Sequence, residues 1–161
     1  TLGLRPSRFS IRRIMKVLCD PTLNPVFRPK HNVVYQDMTQ PLSAYFIASS
    51  HNTYLDGPQL GGRSCTSAIR RALSAGVRLV ELDCHDGPGR MPVVKHGKSK
   101  SAAAIPFGDA LHEIRVSAFQ QSDYPLILTL ENHCSPDQQL VQIQLLEEHL
   151  GDVLARHTLT T

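Results

Sequence analysis

Apolar residues recur along this chain in two rhythms. In residues 8–18 (RFSIRRIMKVL), Ile11, Ile14, Met15 and Leu18 stand at i, i+3, i+4 and i+7. That is the spacing of one face of a short helix, here with an Arg/Lys-rich back. Pro21, Pro25 and Pro29, with Asn24 and Asn32, then break any period, which predicts a linker and a boundary. From residue 42, short apolar runs alternate with helical stretches. Residues 44–49 (AYFIAS) read as a buried strand ending at Ser49-Ser50-His51-Asn52. Residues 66–75 predict a helix with Ile69, Ala72 and Leu73 on its inner face, stopped by Gly76. Residues 77–84 (VRLVELDC) are strand-like, and 91–95 (MPVVK) form a short strand ending at His96-Gly97. Residues 98–104 read as a loop, 108–120 as a helix with Leu111, Ile114 and Ala118 inward, and 125–131 (PLILTLE) as a strand. The last helix, 135–150, opens on a capping box with a proline start: Ser135 at N-cap, Pro136 at N1, Gln138 at N3. The order β, α, β, β, α, β, α predicts an α/β fold of parallel strands with crossover helices. Such sheets place ligand sites at the carboxyl ends of their strands.

Composition narrows this picture. The 161 residues suffice for one domain with a real core, but a complete (β/α)₈ barrel typically needs ~250. Apolar residues at 41% and charged residues at 19% argue against global disorder. The formal charge of +3 is unevenly spread. Residues 1–30 hold seven Lys/Arg against Asp20, a net +6, and the remainder is −3. The body therefore lacks the basic patch that nucleic-acid binding needs. The basic first helix reads as a solvated face, with a membrane-surface role as the other reading. Cys19, Cys65, Cys84 and Cys134 form no CxxC pair, which argues against a zinc site or a disulfide framework. Cys84 and Cys134 lie in or beside apolar runs and read as buried thiols, suited to a reducing compartment. No apolar run approaches the ~18 residues of a membrane span, and no signal-peptide core is present at the N-terminus. The chain starts on Thr and stops at Thr160-Thr161, and it reads as a fragment.

Four predicted strand ends carry polar residues: His51 and Asn52; Glu81 and Asp83; His96; and Glu131 with Asn132 and His133. Any one of them alone reads as a surface or capping group. Their joint placement is what points to a site. Glu81 and Asp83 are two apart, so both face one side of their strand while Val80, Leu82 and Cys84 take the other. Carboxylates crowded on one face, joined by a third from another strand, repel, and a bound cation would cancel that repulsion. Asn and carboxylate oxygens without Cys suit Ca²⁺ or Mg²⁺, and the flexible, carboxylate-rich set favours Ca²⁺. The chemistry such a site supports is phosphodiester cleavage. A cation polarises the phosphoryl oxygen, a carboxylate acts as base, and two imidazoles stabilise charge and protonate the leaving oxygen.

Residues 37–54 (DMTQPLSAYFIASSHNTY), 80–88 (VELDCHDGP), 94–97 (VKHG) and 124–135 (YPLILTLENHCS) closely resemble the X region of eukaryotic phosphoinositide-specific phospholipase C. The similarity runs from about Tyr35 to about Leu154, and residues 8–34 more weakly resemble the tail of the preceding EF-hand lobe. The resemblance implies the N-terminal half of a TIM-type (β/α) barrel over 35–161, preceded by a short helical tail and Pro-rich linker over 1–34. It implies His51 and His96 as catalytic and Asn52, Glu81, Asp83 and Glu131 as calcium ligands, with Glu131 also a candidate base. His96 is then the general acid and His51 the transition-state stabiliser, or the reverse. The implied reaction is calcium-dependent cleavage of phosphatidylinositol 4,5-bisphosphate to inositol trisphosphate and diacylglycerol through a cyclic phosphodiester. The enzyme would be a phosphoric diester hydrolase, cytoplasmic and peripheral on the inner membrane face, acting on a phosphoinositide at that surface.

Two departures stand out. His85 occupies the position where the family usually has Trp, on the strand-exit turn, and reads as a tolerated substitution. The loop after His96-Gly97 (KSKSAAA) lacks the family's Thr-rich pattern. His133 and Cys134 belong to the last motif and read as structural. The family's headgroup-binding lysines, and the Y region that closes the barrel, would lie beyond Thr161, so the fragment alone is expected to be inactive. A non-catalytic scaffold of the same family is the competing reading, although such members usually lose a catalytic His and this chain keeps both. A glycerophosphodiester phosphodiesterase fits the motifs less well.

Overall fold

Parallel and antiparallel strand pairs are told apart by their connections. A parallel pair needs a crossover of a dozen or more residues, while a short link turns the chain back on itself. Both kinds meet in this computed structural model, which describes residues 10–23, 34–58, 62–97 and 103–156. The chain divides into two compact units, residues 1–45 and 46–161.

In the first unit, α1 spans Ile11–Leu18, and the Ser10 side chain caps it by accepting from Arg13 N at 3.3 Å. None of its residues is buried. After it, Asp20 Oδ1 accepts from Thr22 N, Thr22 Oγ1 and Leu23 N, closing a turn. Most of the expected Pro-rich linker, residues 24–33, lies outside the described residues. Asp37 closes a similar turn on Thr39, and the Tyr45 hydroxyl donates to Asp37 O and accepts from Gln40 N.

The second unit carries the sheet. The expected strand at 44–49 does not form. Leu42–Ala44 is a 3-10 turn, Phe46 is fully exposed, and Ser49 makes a single parallel bridge to Leu79. One rung of pairing is too little to make this segment a strand. Two short strands, β1 (Leu55–Asp56) and β2 (Arg63–Ser64), pair antiparallel. Helix α2 (Thr66–Ser74) buries Ala68, Ile69 and Leu73, with Ala72 half-buried. It ends as expected at Gly76, whose φ of +89° takes the left-handed turn that other residues adopt at a cost.

Strand β3 (Leu79–His85) leads through residues 86–92 to β4 (Val93–Val94). The 98–104 loop expectation falls partly on 98–102, outside the described residues. Then come β5 (Ile105–Pro106), α3 (Phe107–Ser117), β6 (Ile127–His133) and α4 (Pro136–Leu150). The sheet order is β5-β4-β3-β6. β3 and β6, joined through α3, pair parallel from Leu79↔Ile127 to His85↔His133. The expectation of parallel strands fails for β4, which pairs antiparallel with β3 through Cys84↔Val94 and His85↔Val93. Its seven-residue connection contains Gly87, Pro88 and Gly89 and has no room for a crossover.

The core lies on the helix-covered face. Val80, Leu82 and Cys84 are fully buried with Ile69 and Leu73 of α2 and Phe107, Ala110 and Leu111 of α3. Burial raises the Cys84 thiol to about 12 and the Cys134 thiol to about 11, so both stay protonated and inert, as expected. Between α2 and α3, Arg70 Nε and Nη2 donate to the two oxygens of buried Glu113 at 2.9 and 2.6 Å, and Ser117 Oγ adds a third bond. Arg70 first, then Ser117, hold the Glu113 carboxyl below its usual range against the opposing effect of burial.

The predicted capping box on α4 is a correction. Ser135 is the N-cap and Pro136 stands at N1, but no side chain caps the helix. Ser135 N and Oγ instead both donate to Asp86 Oδ1, at 2.9 and 3.0 Å. Gln138 exchanges two hydrogen bonds with the Gly87 backbone. The residues that would have closed the helix locally clamp it to the turn after β3.

Leu82→Ala, at the centre of the core, is expected to cost about 2–5 kcal/mol in urea unfolding. Arg70→Ala is expected to lower the thermal midpoint at pH 7 by several degrees. Glu113 has a depressed folded pKa. Its contribution is therefore complete above the unfolded value of about 4.5 and is lost as pH falls through the folded one. The difference between wild type and Arg70→Ala should narrow below pH 4.5, as read by melts from pH 7 to 3.

Candidate active site

The face of β3 opposite the core carries Glu81 and Asp83. The β3–β6 register sets Glu81 beside Thr129 and Asp83 beside Glu131. Ligand oxygens of Glu81, Asp83 and Glu131 lie within 4.8 Å of one another. Two unit charges at that separation repel by about 3 kcal/mol at an effective dielectric of about 20, before screening by the water that reaches Glu131. Asp83 Oδ1 is buried and accepts no hydrogen bond. A buried carboxylate oxygen without a donor, inside a cluster of like charge, is the arrangement a hard cation relieves. The residues present therefore fit a hard divalent cation.

The chain reaches this face through residues 50–54. Thr53 is bonded to β3 almost as a strand residue would be. Its N–H donates to Glu81 O, its Oγ1 accepts from Glu81 N at 3.0 Å, and it donates in turn to Ser50 O. Asn52 sits in the left-handed region at φ +48°, a conformation Asn tolerates better than most residues. There its N–H donates to Glu81 Oε2 at 3.0 Å. The Tyr54 hydroxyl, fully buried, donates to Asn52 Oδ1 at 3.1 Å. Burial first, then the neighbouring Asp83 carboxylate, push that hydroxyl far above its ordinary pKa, so it remains a donor. With Asn52 Oδ1 turned to Tyr54, Asn52 Nδ2 faces His96 Nδ1 at 3.3 Å.

His96 Nδ1 is 3.6 Å from Asp83 Oδ2, and His51 Nε2 is 3.6 Å from Glu81 Oε2. His51 is 73% exposed and His96 31%. All six residues selected from the sequence, His51, Asn52, Glu81, Asp83, His96 and Glu131, thus fall in one connected cluster. Beside it lies a cleft of about 310 Å³ lined by Ser49, Ser50, His51, Leu79, Glu81 and Thr129.

Sequence reasoning missed two participants, Thr53 and Tyr54, and read as structural His133, whose Nε2 lies 2.9 Å from Glu131 Oε1. The two-residue spacing of Glu131 and His133 on one strand face was the available signal for the last. His85 is not on a turn. It is the final residue of β3 and stacks on His133, with ring centroids 4.6 Å apart. Burial first, then His133, lower its pKa.

An α/β fold with acidic and imidazole groups gathered over one sheet face defines a class of candidate phosphodiester-cleaving proteins. The comparisons narrow it. The sequence model of the family described as "Phosphatidylinositol-specific phospholipase C, X domain" matches residues 38–161, and the chain belongs to that family. It is 50% identical over 129 residues to the 1-phosphatidylinositol 4,5-bisphosphate phosphodiesterase delta-3 of Mus musculus. It is 52% identical over 129 residues to the delta-4 protein of Bos taurus. Each match covers 80% of this chain and 16% of the relative, so the chain spans about a sixth of those proteins. The crystal structure of L. pealei PLC21 superposes with a TM-score of 0.78 at 37% identity, over 91% of this chain and 18% of that one. The S. officinalis PLC21 structure gives 0.78 at 35% identity, over 98% and 20%.

Asp83→Asn removes one of the three crowded charges. It is expected to raise metal-free stability by about 0.5–2 kcal/mol and to abolish any stabilisation by calcium. Thermal melts in chelator and in millimolar CaCl₂ check both parts.

Proposed function

We propose that this chain supplies the catalytic half of a calcium-dependent phosphoinositide phospholipase C, which cleaves phosphatidylinositol 4,5-bisphosphate to inositol trisphosphate and diacylglycerol. The observation that carries the reading is the meeting of Glu81, Asp83 and Glu131 within 4.8 Å, with an imidazole 3.6 Å from each of the first two. Residues 35–161 form the N-terminal half of a TIM-type barrel, and residues 1–34 are the helical tail of an EF-hand-like lobe with its linker. A second half, the Y region, closes the barrel. Three parallel segments in a row support this: 46–50 bridged to β3, and β3 paired with β6. No helix among the described residues is long and apolar enough to cross a membrane. The enzyme works as a peripheral protein on the cytoplasmic face.

Asn52, Glu81, Asp83 and Glu131 would hold Ca²⁺, which when bound neutralises phosphoryl charge and makes the inositol 2-hydroxyl easier to deprotonate. Glu131 is the most exposed of the three carboxylates, at 54% against 15% and 9%. It is the base that takes the 2-hydroxyl proton as that oxygen attacks phosphorus. The bond from phosphorus to the diacylglycerol oxygen breaks, and His96 gives its proton to the leaving oxygen. His51, exposed at the lip of the cleft, donates to the phosphoryl oxygen on which charge accumulates. Water then opens the cyclic phosphate with the proton transfers reversed. The presence of both imidazoles favours an enzyme over a non-catalytic scaffold.

The test is turnover of phosphatidylinositol 4,5-bisphosphate in mixed micelles by the chain alone and by the chain co-expressed with a family Y region. Little or no activity is expected alone, and calcium-dependent release of inositol phosphate from the pair. His96→Ala and His51→Ala should each cost about 10²–10⁴ in kcat, and Glu81→Ala should abolish activity. Equal turnover in chelator would overturn the metal assignment, and robust turnover by the chain alone would overturn the half-barrel reading.

A further inference from the structure

We propose that His133 is a positioning residue for Glu131, and that His85 is its brace, so that a stacked imidazole pair sets how tightly the carboxylate cluster holds a hard cation. The proposal rests on the calcium reading above.

Glu81, Asp83 and His85 alternate down one face of β3, and Thr129, Glu131 and His133 down the same face of β6. The register makes Asp83↔Glu131 one rung and His85↔His133 the next. The imidazole rung therefore directly abuts the carboxylate rung. His133 Nε2 lies 2.9 Å from Glu131 Oε1. An ionised carboxylate only accepts, so the hydrogen of that bond is on Nε2. One oxygen of Glu131 is thereby pinned, and the lone pairs of the other are left for a cation. An outer partner of this kind orients a ligand and raises affinity by sparing it the loss of rotamer freedom on binding.

Glu131 is where such help counts most. Glu81 already accepts from Asn52 N, and Asp83 is nearly buried. Glu131 stands half-exposed on β6, at one side of the sheet.

His133 needs a support of its own, because it too is exposed. The His85 ring provides one, lying 4.6 Å from it centroid to centroid and 22° from parallel. His85 Nε2 is buried and makes no hydrogen bond. What the ring offers His133 is its flat face. Histidine at position 85 is in this sense a working part of the site.

The experiment measures cation affinity directly, on the metal-free chain, by calorimetric titration of CaCl₂ and by TbCl₃ luminescence. The chain has no Trp, so excitation at 280 nm reports tyrosine-to-terbium transfer, and Tyr54 lies beside Asn52. His133→Ala is expected to weaken binding of both ions about tenfold. His133→Gln places an amide donor near the same position and should stay within about threefold of wild type. His85→Phe keeps the flat ring and should bind like wild type, whereas His85→Ala should weaken binding about threefold. The two His85 variants carry the test if His133→Ala does not fold by circular dichroism. Wild-type affinity in His133→Ala, or an equal loss in His133→Gln, would overturn the positioning role while leaving the cation site standing. Failure of the wild-type chain to bind either ion would overturn the site and this proposal together.

Discussion

The in-phase parallel pairing of β3 with β6 is the constraint on which the rest of this structure depends. Side chains alternate along a strand, so joining Leu79 to Ile127 also joins Leu82 to Leu130 under the helices and Asp83 to Glu131 on the open face. A slip of one residue would carry Glu131 into the core and Leu130 out of it. The favourable and unfavourable consequences of the register therefore cannot be separated. Each large apolar side chain buried is worth about 1.5–3 kcal/mol, and fourteen buried residues among those described share the cluster. Carboxylate repulsion of about 3 kcal/mol per pair is outweighed, and the acids are held together whether or not they would choose to be.

What β3 and β6 do for the carboxylates, residues 50–54 do for the imidazole and amide side. Thr53 makes the segment continuous with β3 through both its backbone and its hydroxyl. The left-handed turn at Asn52 aims the backbone N–H at Glu81. Tyr54, deep in the core, orients the Asn52 amide and through it the ring of His96. At the far end of the sheet, Asp86 and Gln138 tie the turn after β3 to the start of α4. That clamp holds the β3 and β6 ends close enough for His85 and His133 to stack.

Much of this was legible from residues alone. The period-two spacing of Glu81 and Asp83 against Val80, Leu82 and Cys84 is a backbone property, and it survived folding unchanged. So did the inner faces of α2 and α3 and the stop at Gly76. The failures share one cause. The 44–49 run looks like a strand because it is apolar, yet strands require neighbours, and this segment has one rung. The run at 91–95 holds a strand only at Val93–Val94, and its direction was set by the shortness of its connection. Ser135 and Gln138 carry a capping pattern, but better partners lay across the chain at Asp86 and Gly87.

The sequence by itself determined which residue types carry the chemistry and which face of each element they occupy. Those follow from side-chain chemistry and from the fixed periods of helix and strand. Only the tertiary structure decided that Glu131 joins Glu81 and Asp83, that Asn52 meets His96, and that His85 stacks on His133. Each of those depends on register and chain direction between segments tens of residues apart in sequence. Local pattern is silent on both, because hydrogen-bond ladders and packing choose them only when the whole core closes.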